Sequence, residues 1–550
     1  MIVAGTRSET KKGACENHES GMSEDNAALR KSIYVLLIVA ACGSMTGRIW
    51  TVRSSLGETP LLSANDRSRW ATIRALVDHG TYQLDEVIFL DQAQTQRDRE
   101  WYSIDMVRHR GTDGRERYYS SKPPLLATMV AGKYWLLQQT TGITLADHPF
   151  YAARFLLITT NVLPMAVYFL VLASLVDRLG TTDWGRLFAM ICATFGTFLT
   201  TFAVTLTNHL PAAVSVVIAL WVALAIWRDG RRQWWLFALC GFFAAMTVTN
   251  ELPALALFAL LGVALLWLSP RLTLIGFVPG AALVAAAFFG TNYVAHGTWR
   301  PPYTHRHDGP MVVQVPGITE TELQTGRVPD AMRDMLAERE LHVSEQAEIQ
   351  PRWTGEGWML WDPADHVRLA LVVDDVGVRV HRWGNWYEYE RSYWIDERKT
   401  GVDRGEPSRW VYAMNVLVGH RGIFSLTPIW VLSVVGAGCW LFRRQDSMKG
   451  FAVLVFGVSG IILVFYLMRP LADRNYGGVS CTFRWMIWLT PLWLVALLPA
   501  VDRMAGCRGW RTLAGGMLLV SAISASYASL NPWSHSWIYQ YWVYLQWITP

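Results

Sequence analysis

Long apolar runs joined by short polar connections dominate this chain. Runs of the length needed to cross a hydrocarbon core, about 20 residues each, occupy residues 33–52, 152–176, 184–206, 210–227, 234–249, 252–268, 271–294, 422–442, 451–468, 485–501 and 512–530. They predict eleven membrane-spanning helices. A twelfth run, Pro123 to Gly142, is interrupted by Lys133, Gln138 and Gln139. Whether it spans decides the sidedness of everything after it.

Basic residues in the short loops settle that question, because they collect on the cytoplasmic side. The polar stretch 1–32 lacks an apolar run, so no cleavable signal is expected, and Arg30-Lys31 precede the first span. That span reads as a signal anchor with a cytoplasmic tail before it. If 123–142 does not cross, the inside loops hold Arg178, Arg186, Arg228, Arg231, Arg232, Arg271, Arg443, Arg444, Lys449, Arg503, Arg508 and Arg511. The outside loops hold only Arg469, Arg474 and Arg484. Making 123–142 a span inverts the ratio. The segment is therefore predicted as an amphipathic helix on the outer surface, dipping Leu125, Leu126, Met129, Val130, Leu136 and Leu137 into lipid. Pro123-Pro124 suit its first turn.

The expected fold class is an α-helical polytopic membrane protein with about 11 spans, interfacial helices in the first outer loop and a small mixed or β outer domain. The expected division is a cytoplasmic tail at 1–32 and an amino-terminal transmembrane module at 33–295 that includes the first outer loop, 53–148. An outer soluble domain at 296–421, carboxy-terminal transmembrane helices at 422–530 and an outer aromatic tail at 531–550 follow. Within the soluble segment, alternation from Val367 to Tyr389 predicts strands, and the charged stretch Thr319 to Gln350 has helical composition.

Composition agrees with that split. Hydrophobic residues reach 52% and charged residues only 17%, which excludes a disordered or polyanion-binding basic chain. Mean hydropathy of only +0.20 requires a large wet portion beside the spans. The formal charge of +5 is small for 550 residues. No cysteine falls within 53–122 or 296–420, so neither long polar stretch carries a disulfide framework or a cysteine zinc site.

The candidate chemistry begins just beyond the first span. Trp70, Ile73, Leu76 and Val77 recur at helical spacing, with Gly80 as a carboxy-terminal cap and Asp66 near the start. Asp is a favoured N-cap, so one reading of Asp66 is purely structural. The order Asp66-x-x-Arg69-Trp70-Ala71-x-Ile73-Arg74, Gly80-x-Tyr82, Arg117-Tyr118-Tyr119-x-Ser121-Lys122-Pro123 and Phe150-x-x-x-Arg154 forms a frame over roughly residues 60–155. It resembles the first periplasmic loop of the GT-C glycosyltransferases, in the group of lipid A aminoarabinose transferase and protein O-mannosyltransferase.

That resemblance implies an inverting sugar transfer on the outer face of a cytoplasmic (inner) membrane, from a polyprenyl-phosphate-linked donor to a lipid, glycan or protein acceptor. It implies Asp66 as general base, a role that accelerates a reaction roughly 10²–10⁴-fold. Lys122 and Arg69 are implied as partners of the donor phosphate, because fixed cations stabilise charge on a departing group. Arg484 is a further phosphate partner or an interface anchor. Lys122 has the plainer alternative of an interfacial lysine among lipid headgroups. Asn208 and His209 at one outer turn, Glu251 at the next, and Asn475-Tyr476 before Gly477-Gly478 are candidate substrate-binding residues. The chain departs from the family pattern at Asn250-Glu251, where a Lys is frequent. Tyr303 to Asp308 holds two histidines without recognisable ligand spacing. The run Trp383 to Trp394 fits sugar stacking or domain packing. Asp66 has Asn65 and Arg67 as neighbours instead of a second carboxylate, so no cofactor is expected and a divalent metal is not favoured. The competing function classes are a transporter or flippase, which predicts broken helices at the bilayer midplane in repeated halves, and a non-catalytic envelope scaffold.

Overall fold

A computed structural model describes residues 9–111, 114–443 and 446–548, with side chains described from residue 26. Residues 1–8 of the expected tail, Arg444 of the expected inside charges and residues 549–550 of the aromatic tail lie outside the described residues, as does the Cys15 side chain.

Each of the eleven apolar runs falls on helix. Asn26–Thr51, Pro149–Leu179, His209–Trp227, Pro270–His296 and Lys449–Leu467 are long and apolar enough to cross a membrane. Arg484–Ala496 and Leu498–Met504 together reach the same length and apolarity as a pair bent by 44°. Pro499 sits in the first turn of its second half, where a missing N–H is tolerated at a break but not within a continuous helix. Trp234–Asn250, Leu252–Leu268 and Ile429–Phe442 are shorter apolar helices. The run 184–206 is α-helical only over Asp183–Phe195, then passes through a 3₁₀ turn at Thr201–Val204. The buried Thr201 hydroxyl donates to the Ala525 carbonyl at 2.7 Å, so the irregular backbone there is satisfied by its neighbours. The last run is the helix Arg508–Tyr527. The chain is thus a helical integral membrane protein.

Loops expected inside meet one another at one end of the bundle. Arg30 pairs with Asp177 at 3.0 Å, and the Asp502 carboxylate accepts from the Thr181 and Thr182 N–H groups at 2.8 and 3.0 Å. The helices pack closely where glycine allows it. A methyl on Gly241 would lie 2.0 Å from the Phe277 carbonyl oxygen, so Trp234–Asn250 and Pro270–His296 touch backbone to backbone.

The two long connections gather at the opposite end. Helix α1 (Glu9–Thr51) leads to α2 (Ala64–Asp78), a short α3 (Asp85–Ile88), a hairpin of β1 (Met106–Arg110) and β2 (Glu116–Ser120), and α4 (Leu125–Thr141). The hairpin was not expected. Helix α4 is where the sequence puts an interfacial helix, but only part of its apolar face is free. Met129 and Leu136 are exposed, whereas Leu125, Val130 and Leu137 are buried. Val130 and Leu137, with Tyr134, pack in the same core as α2. Pro124 caps the helix and does not form its first turn.

The second connection folds as a five-stranded antiparallel sheet. Strands β3 (Met311–Pro316), β4 (Glu348–Pro351), β5 (Trp358–Asp362), β6 (Val367–Val373) and β7 (Gly377–Arg382) are ordered β3-β7-β6-β5-β4. Alternation correctly marked β6 and β7, but the strand expectation fails beyond Arg382, where Trp386 and Tyr387 turn to pack against the hairpin. The charged stretch yields only the helices Glu320–Leu323 and Asp330–Ala337. Gly326, in the left-handed region, and Pro329 stop a longer one. The sheet keeps its own core around Val315, Leu336, Leu360, Leu371 and Val380. It is fastened to the hairpin by the Arg368–Glu116 ion pair at 2.6 Å, with the Arg368 guanidinium about 5 Å from the Trp353, Trp361 and Trp383 rings.

Candidate functional site

A polar cavity of about 670 Å³ opens where these connections meet the spans. Its wall takes residues from several parts of the chain: Ser63 to Asn65 and Asp105 with Lys122 from the first connection, the turn Leu252-Pro253, Tyr303, Arg306, Trp394 and Asp403 from the second connection, Tyr466 with Arg469, Asn475 and Arg484 around the loop after Lys449–Leu467, and Trp533 from the carboxy-terminal segment.

Asp66 stands behind this wall. Ser63 is the N-cap of α2 and Asp66 is the third helical residue, so the pair closes a capping box. The Asp66 carboxylate accepts from the Ser63 N–H at 2.7 Å, the Ser63 hydroxyl at 2.9 Å and the Leu62 N–H at 3.3 Å. It is 1% exposed. Burial raises its pKa, opposed by those hydrogen bonds. The expectation that Asp66 itself caps the helix moves by three positions, because Ser63 precedes it with a hydroxyl of the right reach.

Asp105 lies on the cavity surface, as do Asp403 and Asp473. Its Oδ2 lies 3.0 Å from Lys122 Nζ. The hairpin makes this pair: β1 and β2 register Met106 against Ser120, and the Ser121 N–H donates to the Asp105 carbonyl at 3.0 Å. Residues 105 and 122 are thereby brought side by side. Burial lowers the Lys122 pKa, and Asp105 opposes that shift while Arg69 and Arg484 add to it. An ammonium so placed gains from any additional anion.

Most of the other expected site residues form one buried relay behind the cavity. Arg69 donates to Asn208 Oδ1 at 2.9 Å, and Asn208 Nδ2 donates to Glu251 Oε1 at 2.8 Å. His209 Nδ1 lies 2.5 Å from the same Glu251 oxygen, and Arg484 Nη1 lies 3.0 Å from His209 Nε2. A guanidinium only donates, so Nε2 accepts and Nδ1 carries the proton toward Glu251. Arg484 Nε then donates to the Gly477 carbonyl at 2.7 Å. Gly477 has φ of +86°, and a methyl there would sit 2.7 Å from Arg484 Nε. The relay joins α2, two inter-span turns and the loop 475–484 into one rigid unit. Burial pushes the Arg69 pKa down to about 10.

Of the expected substrate-binding residues, Asn475 lines the cavity. Asn208, His209 and Glu251 instead orient Arg69 and Arg484, and His209 is fully buried. Tyr476 turns away, its hydroxyl accepting from Asn415 at 3.0 Å. Lys122 and Arg484 line the cavity, and Arg69 is buried beside it.

Sequence reasoning missed Asp105, Asp403, Arg306, Arg469 and Trp533. For Asp105 a signal existed: Asp113-Gly114 between two alternating stretches is a hairpin signature, and pairing them sets Asp105 beside Lys122. Asp403 accepts from Tyr393 and Asn475 at 2.9 and 3.2 Å, and burial raises its pKa. The Tyr303–Asp308 cluster disperses: His305 stacks on Trp386 at 3.6 Å and Asp308 pairs with Arg352 at 2.9 Å. Among the described residues no group of three His, Cys, Asp or Glu side chains converges as a metal site. The aromatic run divides. Trp386 and Tyr387 pack against the hairpin, with Val107 and Tyr119, while Trp394 faces the cavity.

No family model matches the chain, and no curated protein matches it. Among solved structures it is similar to the S. cerevisiae protein O-mannosyltransferase Pmt1-Pmt2 complex bound to the sugar donor, at 10% identity and a TM-score of 0.44, over 96% of this chain and 94% of that one. It is also similar to the oligosaccharyltransferase AglB from Archaeoglobus fulgidus in complex with an inhibitory peptide and a dolichol-phosphate. That match has 12% identity and a TM-score of 0.39, over 94% of this chain and 58% of that one.

Proposed function

We propose that the chain is a membrane glycosyltransferase of the GT-C type that its first connection resembles. It moves a sugar from a polyprenyl-phosphate carrier to an acceptor on the outer face. The observation that carries this reading is the Lys122–Asp105 pair, at 3.0 Å, in one cavity wall with Arg484. Inverting transfer from a sugar phosphate needs a carboxylate for the acceptor's proton and cations for the departing phosphate, at a membrane surface where a lipid carrier presents the sugar phosphate.

In the reaction, the acceptor oxygen bonds to the anomeric carbon as the bond from that carbon to the phosphate oxygen breaks. The bonding electrons pass to the phosphate, whose added charge meets Lys122 and Arg484. Arg69 supports the same field from within the relay. The acceptor's proton passes to a carboxylate. Asp105 is assigned that role because, of the carboxylates on the cavity surface, it is the one beside Lys122, whereas Asp403 is held by Tyr393 and Asn475 and Asp473 by Arg469. Asp66 is the second candidate, and its raised pKa favours it as a base, but its oxygens are engaged by its own helix cap. A transporter would place its polar groups near the bilayer midplane, whereas this cavity lies at the end of the spans.

The test is release of polyprenyl phosphate from a panel of polyprenyl-phosphate sugars by the purified chain. Lys122→Ala and Arg484→Ala are expected to abolish release, and wild-type rates in both variants would overturn the reading. Sidedness is tested with Thr140→Cys on exposed α4. An impermeant maleimide added outside should label it, and labelling only from inside would place the cavity on the wrong face.

A further inference from the structure

Of the carboxylates that line the cavity, Asp105 pairs with Lys122 at 3.0 Å and Asp473 with Arg469 at 2.6 Å. Asp403, half-buried in the same wall, pairs with no cation among the described residues. Its Oδ2 accepts from the Tyr393 hydroxyl at 2.9 Å, and its Oδ1 accepts from the Asn475 amide at 3.2 Å. A carboxylate offers about four lone-pair positions, so each oxygen keeps capacity for a further donor.

The carboxylate is not what holds its loop in place. Gly405 has φ of +83°, and a methyl there would strike the Leu471 carbonyl oxygen, so the chain just after Asp403 lies backbone to backbone on the loop after Lys449–Leu467. The Glu406 N–H donates to the Arg474 carbonyl at 2.9 Å, and the Arg474 guanidinium donates to the Pro407 carbonyl at 2.9 Å. The same loop sets Asp403 next to the phosphate partner. Gly477 and Gly478 are consecutive, both in the left-handed region and both in the cavity wall. A methyl on Gly477 would sit 2.7 Å from Arg484 Nε, and one on Gly478 would sit 3.9 Å from Asp403 Oδ1. Neighbouring Cα atoms are about 3.8 Å apart, a spacing on the scale of one sugar ring. Burial raises the Asp403 pKa, Asp105 adds to that shift and Arg484 opposes it, so the three groups act on one another across the cavity.

Sugar hydroxyls are donors, and a charged acceptor holds them more strongly than a neutral one. Resting on the donor reading above, we propose that Asp403 is a specificity-determining residue: it accepts from hydroxyls of the sugar whose phosphate meets Lys122 and Arg484. The acceptor's proton remains with Asp105.

Binding to the full-length chain tests this. The probes are bare polyprenyl phosphate and a panel of polyprenyl-phosphoryl hexoses and pentoses with their monodeoxy analogues. Asp403→Asn keeps the size of the side chain and removes its charge. It should bind bare polyprenyl phosphate at least as tightly as the wild type does, and bind the preferred sugar-bearing lipid about 10- to 100-fold more weakly, the range of hydrogen bonds to a charged group. Its KM for that donor should rise with kcat little changed. On the wild-type chain, at least one monodeoxy analogue of the preferred sugar should bind about 10-fold more weakly than its parent, and Asp403→Asn should no longer tell the two apart. Wild-type affinity of Asp403→Asn for every sugar-bearing lipid overturns the proposal, as does equal weakening of both probes. So does a wild-type chain that binds every monodeoxy analogue as well as its parent, or discrimination that survives Asp403→Asn. Lys122→Ala is the reference. If it binds both probes normally, the donor reading fails; if it loses both while Asp403→Asn loses neither, only the assignment of Asp403 fails.

Discussion

Asp105→Asn separates the two candidate bases. The substitution removes one negative charge and leaves an amide oxygen near Lys122 Nζ, which now lies 3.0 Å from the carboxylate. At an effective dielectric constant of about 20 that pair attracts by about 5 kcal/mol before desolvation is subtracted. The Lys122 and Asp105 side chains are 22% and 10% exposed, so screening and desolvation reduce the net loss of folding stability to about 1–3 kcal/mol. Chemistry suffers more. Removing a general base costs roughly 10²–10⁴ in rate, or about 3–5 kcal/mol on the barrier. The expectation is therefore a folded variant whose single-turnover transfer falls at least 100-fold. Its affinity for bare polyprenyl phosphate should be unchanged or tighter, because a charge that repels the phosphate is gone. Asp66→Asn weakens a capping box and should cost about 0.5–2 kcal/mol of stability with little effect on transfer. The assay is rapid-quench transfer with saturating donor, beside thermal unfolding in detergent. The opposite pattern, full transfer by Asp105→Asn and loss by Asp66→Asn, would refute the assignment and return the base to Asp66.

Glu251→Gln weakens an acceptor shared by Asn208 and His209 and leaves Arg69 and Arg484 buried with less compensating charge; a stability loss of about 3 kcal/mol should appear as a lowered Tm together with reduced donor affinity. Gly477→Ala forces a side chain into the left-handed region and against Arg484, so donor KM should rise at least tenfold while the protein remains monodisperse. His109, stacked between Tyr119 and Trp386 and 3.1 Å from His296 Nδ1, has its pKa pushed down by burial from 6.5 to about 4. A lowered folded pKa means stability is present above 6.5 and lost as pH falls toward 4, by about 3 kcal/mol at about 1.4 per pH unit. Tm measured across that range should fall more steeply in the wild type than in His109→Gln.

The pattern of apolar runs by itself determined that this is a polytopic helical membrane protein and where its helices lie. Spans are local: about 20 apolar residues must satisfy their own backbone within lipid, so nothing distant is needed to recognise them. The strands β6 and β7 were legible for the same reason, through period-two alternation. The frame around Asp66 and Lys122 pointed to the end of the bundle where the proposed site lies, but not to the partnerships within it. Asp105 meets Lys122 only through hairpin register, and His209 meets Glu251 and Arg484 across 42 and 275 positions of sequence. Trp533 reached the cavity because Arg421, more than a hundred residues earlier, ties down its segment. The sequence by itself placed it only in an outer aromatic tail. Hydropathy records how each stretch partitions between water and lipid. Which buried polar groups satisfy one another depends on contacts that only the packed bundle brings within hydrogen-bonding distance, and there tertiary structure decided the site.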